Sequence, residues 1–124
     1  MSTLTLMIGN EEDFFKRGKR LAKLADAGNQ IQEESVISFE EPATLLKLLT
    51  ATKFDLFRVV KAHPDSITRI AERLHRDRSA VKRDIDQLAK AGILMIEEQQ
   101  LPGHGRMKQV RVAATQFKLE AQLG

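Results

Sequence analysis

The segment RDRSAVKRDID, residues 76–86, gathers the side chains of this chain that have most to offer a ligand. Arg78, Ser79, Lys82 and Arg83 stand at i, i+1, i+4 and i+5, so a helix would bring them to one side, with Asp86 a turn further along. Guanidinium, ammonium and hydroxyl groups in that array donate hydrogen bonds and carry positive charge, which suits an anionic, acceptor-rich partner better than a bond-breaking reaction. Catalysis has little to work with elsewhere. Asp84 and Asp86 are two residues apart and diverge on a helix, which denies them the shared site of an acid–base pair. The chain has no GxSxG, P-loop or HExxH motif and no cysteine nucleophile. His63, His75 and His104 lie 12 and 29 residues apart, outside metal-ligand spacings. No metal and no cofactor is expected, and the chain reads as a binding protein, not an enzyme.

Two helices must position that array. In SITRIAERLHRDRSAVKRDIDQLAKAG (66–92), Ile67, Ile70, Ala71 and Leu74 give the i, i+3, i+4, i+7 stripe of a first helix capped by Asp65 or Ser66. Asp77 or Ser79 can cap a second, whose Val81, Ile85 and Leu88 form the buried stripe and which Ala91-Gly92 stops. A three- or four-residue link forces the two to cross, and the helix expected over 51–63 must cover both stripes. Burying Val81, Ile85 and Leu88 turns Arg78, Ser79, Lys82, Arg83 and Asp86 outward. An α-helix fits the DNA major groove, and helix-turn-helix proteins insert such a helix by its amino-terminal end, where Arg and Lys meet guanine edges. Arg69, Arg73 and Lys90 read as a solvated face. Two strands, ILMIEEQQ (93–100) and KQVRV (108–112), follow around LPGHGRM, a flexible basic tip from which Arg106 and Lys108 would reach phosphates. His104, between two glycines, reads either as a phosphate contact or as a tip residue with no fixed role.

The rest of the chain frames this pair. At 124 residues, 42% apolar and 30% charged, it is long enough to bury roughly two thirds of the surface it exposes when unfolded, and no apolar run approaches the ~20 residues that cross a bilayer. The amino terminus lacks the basic start of a secretion signal, and with no cysteine the composition suits a reducing cytoplasm. The net charge of +3 is modest, but its distribution is not even: residues 66–92 hold seven basic and four acidic groups, whereas 29–41 hold four glutamates and no base. TLTLMI (3–8) predicts a strand. Asn10, with Glu11, Glu12 and Asp13 behind it, predicts an amphipathic helix whose Lys16, Lys19, Arg20 and Lys23 form a basic face. That face reads as plain surface, a phosphate contact or a partner contact. Residues 31–42 read as an extended connection or a strand, Pro42 opens a helix, and Thr50 caps the next, with Phe54, Phe57 and Val60 toward a core. TQFKLEAQ predicts a final strand, conceivable as a partner of TLTLMI. The expected fold class is mainly α with a small β component (α+β): a winged helix-turn-helix over 42–124 behind a strand-helix extension over 1–41.

These residues carry a resemblance. SITRIAERLHRDRSAVKRDIDQLAKAGIL is similar to the pattern of the winged helix-turn-helix regulators of the MarR-like type, over about residues 42–112. The resemblance implies DNA contacts from Ser79, Ala80, Lys82 and Arg83 and from Arg106 in the wing. It departs from that type in lacking the long flanking dimerisation helices, the first of which the extension replaces. The extension and SFEEPATLLKLLT resemble a short group of prokaryotic DNA-binding proteins, with relatives in toxin–antitoxin loci.

Two functions from different classes follow as expectations. One is a sequence-specific transcriptional regulator, a repressor or autoregulator, that binds double-stranded DNA as a homodimer through Arg78, Ser79, Ala80, Lys82, Arg83 and Asp86, with Arg76, His104, Arg106 and Lys108 in the turn and wing. The other is an antitoxin-type protein that grips a cognate toxin or other neighbour-encoded partner through residues 1–41 and autoregulates its operon. RNA is a poorer partner, because phenylalanine is the only aromatic residue available to stack on unpaired bases.

Overall fold

A computed structural model of the chain describes residues 2–9, 19, 33–103 and 105–121. The chain divides into two compact units, one of residues 1–46 with 114–124 and the other of residues 47–113.

The first unit is built on a parallel sheet of β1 (Ser2–Ile8), β2 (Glu33–Phe39) and β5 (Gln116–Ala121), with β1 in the centre. β1 aligns Leu6 with Ile37 of β2 and with Leu119 of β5. Residues Thr3 to Met7 of β1 are all buried, so both faces of this strand are covered, and its polar members find partners inside the sheet. Thr5 Oγ1 donates to Glu34 Oε1 at 2.8 Å and Thr115 Oγ1 to the Ser2 carbonyl at 2.6 Å. The pairing of the last strand with TLTLMI is present. The helix expected between Asn10 and Gly28, with its apolar stripe and basic face, lies outside the described residues except for Lys19.

One expectation is overturned. Among the described residues 43% are helical and 38% lie in strands, arranged as five strands in two sheets, so the chain is an α+β mix and the strands are not a small component. Each of the five lies on a segment that the sequence reads as a strand or, for β2, as a strand or an extended connection, and together they make up more than a third of the described residues. What stabilises β2 and β5 is pairing with a strand that is distant in sequence, up to 113 residues away between Thr3 and Gln116.

The second unit packs three helices on a hairpin. Helix α1 (Pro42–Leu48), opened by its proline, contains the boundary between the units. It is followed by α2 (Ala51–Ala62), α3 (Ile67–Leu74) and α4 (Arg78–Lys90), then by the antiparallel strands β3 (Leu94–Leu101) and β4 (Gly105–Val112). Leu56 and Val60 of α2, Ile70 of α3, Val81, Ile85 and Leu88 of α4, Leu94 of β3 and Val110 of β4 are each at most 2% exposed and form one core. Truncating a residue such as Ile70 to alanine costs about 2–5 kcal/mol at a site of this kind. On α2 the core face is Leu56 and Val60, four apart; of the expected Phe54–Phe57–Val60 row, Val60 is in the core, Phe57 is half-buried and Phe54 is exposed. A spacing of three drifts around a 3.6-residue helix, which leaves Phe54 at 39% exposure, where the Arg58 guanidinium lies 5.1 Å from its ring centre.

Candidate nucleic-acid interface

The turn between α3 and α4 is specified at both ends. Ser66 caps α3, its Oγ accepting from the Arg69 N–H at 3.3 Å. At the other end the His75 N–H donates to the Glu72 carbonyl and the Arg76 N–H to the Ala71 carbonyl, both at 3.1 Å, the paired bonds of a Schellman stop. His75 holds the left-handed conformation this stop requires, φ 53° and ψ 43°, a position where glycine is usual. Asp77 begins the next helix: its Oδ2 accepts from the Ser79 and Ala80 N–H groups at 3.1 and 3.3 Å. Helix α4 ends in the same way as α3, with Gly92 at φ 87° and the Ile93 N–H on the Leu88 carbonyl.

Side chains then brace α4 against the turn. Arg76 Nη2 bonds Asp84 Oδ2 at 2.8 Å, and the Asp84 side chain is only 7% exposed. Arg78 Nε donates to Thr68 Oγ1 of α3 at 3.0 Å. Arg73 reaches back to Asp65 Oδ2 at 2.6 Å and to the His63 carbonyl at 3.3 Å, tying the end of α2 to the start of α3. Asp65 also joins the hairpin, because its carbonyl accepts from the Val110 N–H of β4 at 2.8 Å. Burial pushes the Asp65 carboxyl up, but the Ser66 N–H, the Arg73 guanidinium and the Arg69 charge outweigh it and hold the group below its ordinary value.

With Val81, Asp84, Ile85 and Leu88 inward, the opposite side of α4 is fixed. Ser79, Lys82, Arg83, Asp86, Gln87 and Lys90 line a shallow open groove along the helix, at i, i+3, i+4, i+7, i+8 and i+11. Three cations stand there against one carboxylate. Lys82 Nζ bonds Asp86 Oδ2 at 2.7 Å, but both side chains are about half exposed, so this pair is weak and a stronger acceptor can replace it. The Arg83 side chain is 69% exposed, with Nε 3.8 Å from Asp84 Oδ1. Ala80 is half-buried on the flank of this face.

On the hairpin, Leu101 pairs with Gly105 around a three-residue tip, and both Gly103 and Gly105 take positive φ. Arg106 is 78% exposed and its Nη1 lies 3.6 Å from Glu98 Oε2, while Lys108 is the cross-strand neighbour of the same Glu98. Arg111 pairs with Glu97. Arg106 and Glu98 are both exposed, so that pair holds the guanidinium loosely. His104 lies outside the described residues.

The expected site residues thus separate. Ser79, Lys82, Arg83 and Asp86 share one exposed face, Arg106 and Lys108 stand on the hairpin, and Arg76 and Arg78 make bonds that set the helix in place. Gln87 joins the exposed face although the sequence did not single it out, and Lys90, expected as a solvated side chain, extends that face. The signal for Gln87 was available, since the polar stripe continues one more turn at the same spacing. Asp84, read from sequence only as a charge, is the buried anchor of the turn.

The sequence model of the HVO_A0114 family matches residues 48–119, 72 of the 124 residues. The chain belongs to the HVO_A0114 family. That match runs from the end of α1 through the helix pair and the hairpin into β5. Among solved structures, the chain is similar to a possible transcriptional regulator from Methanosarcina mazei Go1, with 19% identity and a TM-score of 0.46. The similarity covers 60% of this chain and 66%, just under two thirds, of that one. No curated protein matches the chain. Among the described residues no helix is long and apolar enough to cross a membrane, and no group of three or more acidic or imidazole side chains is placed to hold a metal.

Proposed function

We propose that this chain is a sequence-specific, double-stranded-DNA-binding transcriptional regulator that lays α4 in the major groove and its hairpin on the flanking backbone. The observation that carries this reading is the exposed face of α4: Ser79, Lys82, Arg83, Asp86, Gln87 and Lys90 lie opposite a buried face, on a helix capped and braced at its amino end. A surface built to stay in solution has no need of such bracing, whereas a reading helix does, since base contacts depend on its angle to the groove. In this reading Arg83 is the residue placed to pair with guanine O6 and N7, and Gln87, one turn on, can pair with adenine N6 and N7. Lys82 exchanges Asp86 for a phosphate or a guanine. Arg106 and Lys108 meet phosphates, fixing position without reading sequence. The MarR-like spacing of apolar and basic residues over 66–94 supports the winged-helix form of the reading, and a homodimer would give the protein two such helices for a palindromic site.

Fluorescence anisotropy against the DNA upstream of the chain's own gene and against a scrambled duplex, across a salt series, tests this. Arg83→Ala should cost roughly 1–3 kcal/mol on the specific site and relax the preference at one base pair. Arg106→Ala should weaken binding to both duplexes and lower the salt slope by about one unit. Unchanged affinity in both variants would remove the reading.

A further inference from the structure

Strand β5 is an edge of the three-stranded sheet, where its described partner is β1. Every residue of β5 is exposed except Phe117, which is half-buried. The register with β1 puts Phe117 beside Leu4 and Leu119 beside Leu6 on one face, with Lys118 and Glu120 on the other. On that first face Leu4 and Leu6 are 4% and 2% exposed, but Leu119 is 56% exposed. The apolar face is thus covered over β1 and, on β5, exposed at Leu119. A strand at the edge of a sheet that carries an exposed leucine is the kind of element through which sheets extend.

The charges on β5 select the partner. Lys118 and Glu120 flank Leu119 symmetrically and carry opposite signs, so the strand is complementary to its own reversed copy. Antiparallel pairing centred on Leu119 sets Lys118 opposite Glu120 of the partner subunit and Leu119 opposite Leu119 of the partner subunit, and a two-fold axis forms both charge pairs at once. Moving the centre to Lys118 or to Glu120 puts like charges face to face. Moving it to a point between residues sets apolar side chains opposite charged ones. The register centred on Leu119 matches both charge and polarity.

We propose that β5 pairs antiparallel with β5 of a second copy of this chain, joining two three-stranded sheets into one of six strands. This deepens the homodimeric part of the function proposed above and is independent of its DNA contacts. The test is sedimentation velocity of the full chain over a concentration series, with circular dichroism to verify folding. The wild-type chain should dimerise, and Lys118→Glu and Glu120→Lys should each raise the dimer Kd on the order of tenfold or more, because two attractive pairs become repulsive. The double variant Lys118→Glu with Glu120→Lys should recover the dimer, which a simple loss of folding could not do. A dimer indifferent to Lys118→Glu, or one that the double variant fails to restore, overturns this interface while leaving a homodimer through another surface. A monomer at every concentration overturns both.

Discussion

Removing Arg76 should damage the helix pair more than removing any of the cations on the exposed face of α4. Its guanidinium reaches from the turn to Asp84, whose side chain is 7% exposed, and the arginine itself is 24% exposed. Arg76→Ala leaves a buried carboxylate whose remaining cation among the described residues is the Arg83 Nε, at 3.8 Å and on a side chain that is 69% exposed. Breaking a buried pair in this way costs about 3–5 kcal/mol, and the lower end applies because the partner is a quarter exposed. Asp84→Ala should cost less, about 2 kcal/mol, since the freed guanidinium can turn toward water along its flexible stem. The double-mutant cycle should return a coupling of about 1–3 kcal/mol, and Arg76→Met with Asp84→Leu should come close to wild-type stability. The chain has no tryptophan or tyrosine, so urea unfolding is best followed by far-ultraviolet circular dichroism. Arg76→Ala should lower the midpoint by roughly 1–3 M at unchanged m. A loss below about 0.5 kcal/mol in both single variants, the range of a surface pair, would show that the caps alone set the turn and would refute this reasoning.

Three further outcomes follow from the same geometry. His75→Gly should raise stability by about 0.5–1 kcal/mol, because relief of a non-glycine left-handed residue outweighs the entropy glycine loses on folding; a lower melting temperature would contradict this. The Asp65 carboxyl is held below its ordinary 3.8 in the folded state, so its contribution is full above that value and is lost as pH falls through the folded one. The stability gap between wild type and Asp65→Asn should therefore close in acid melts, and a gap independent of pH would count against the Arg73 clamp. Asp86→Asn should tighten binding to any duplex at low salt and steepen the salt slope by up to about one unit, since it releases Lys82 and removes a charge that repels phosphate; anisotropy would reveal the opposite if Asp86 instead holds the helix.

The helix pair was legible in the sequence because its determinants are local. Ile67, Ile70 and Ala71 recur at helical spacing, Ser66 and Asp77 are cap residues, and the stripe of Val81, Ile85 and Leu88 fixes by exclusion which side chains face out. Where a local rule misled, another force had won. The α3 stop carries histidine in place of the usual glycine, and the backbone bonds from His75 and Arg76 to Glu72 and Ala71 hold it in a conformation its type disfavours. The row of Phe54, Phe57 and Val60 promised a core face; Val60 is in the core, but packing on α3 and β4 placed Leu56 beside it and left Phe54 exposed. Asp84 looked like one more surface charge, because nothing in its neighbours in sequence tells that Arg76 will turn inward to meet it.

The first unit was less legible for a different reason. A strand such as β1 announces itself by composition, yet β2 and β5 owe their form to hydrogen bonds with β1, one set from 31 residues away and the other from more than a hundred. No window of sequence contains both sides of such a ladder, and a parallel register has no tight turn to fix it. Polarity still leaves a trace. The alternation of Phe117 and Leu119 with Lys118 and Glu120 marks β5 as a strand with one apolar face, and the β1 register then shows that face continuing from Leu4 and Leu6. What the alternation could not tell is that the sheet would bury the leucines of β1 and leave Leu119 exposed. That difference appears only once three distant segments are side by side, and it turns an ordinary amphipathic strand into a candidate interface.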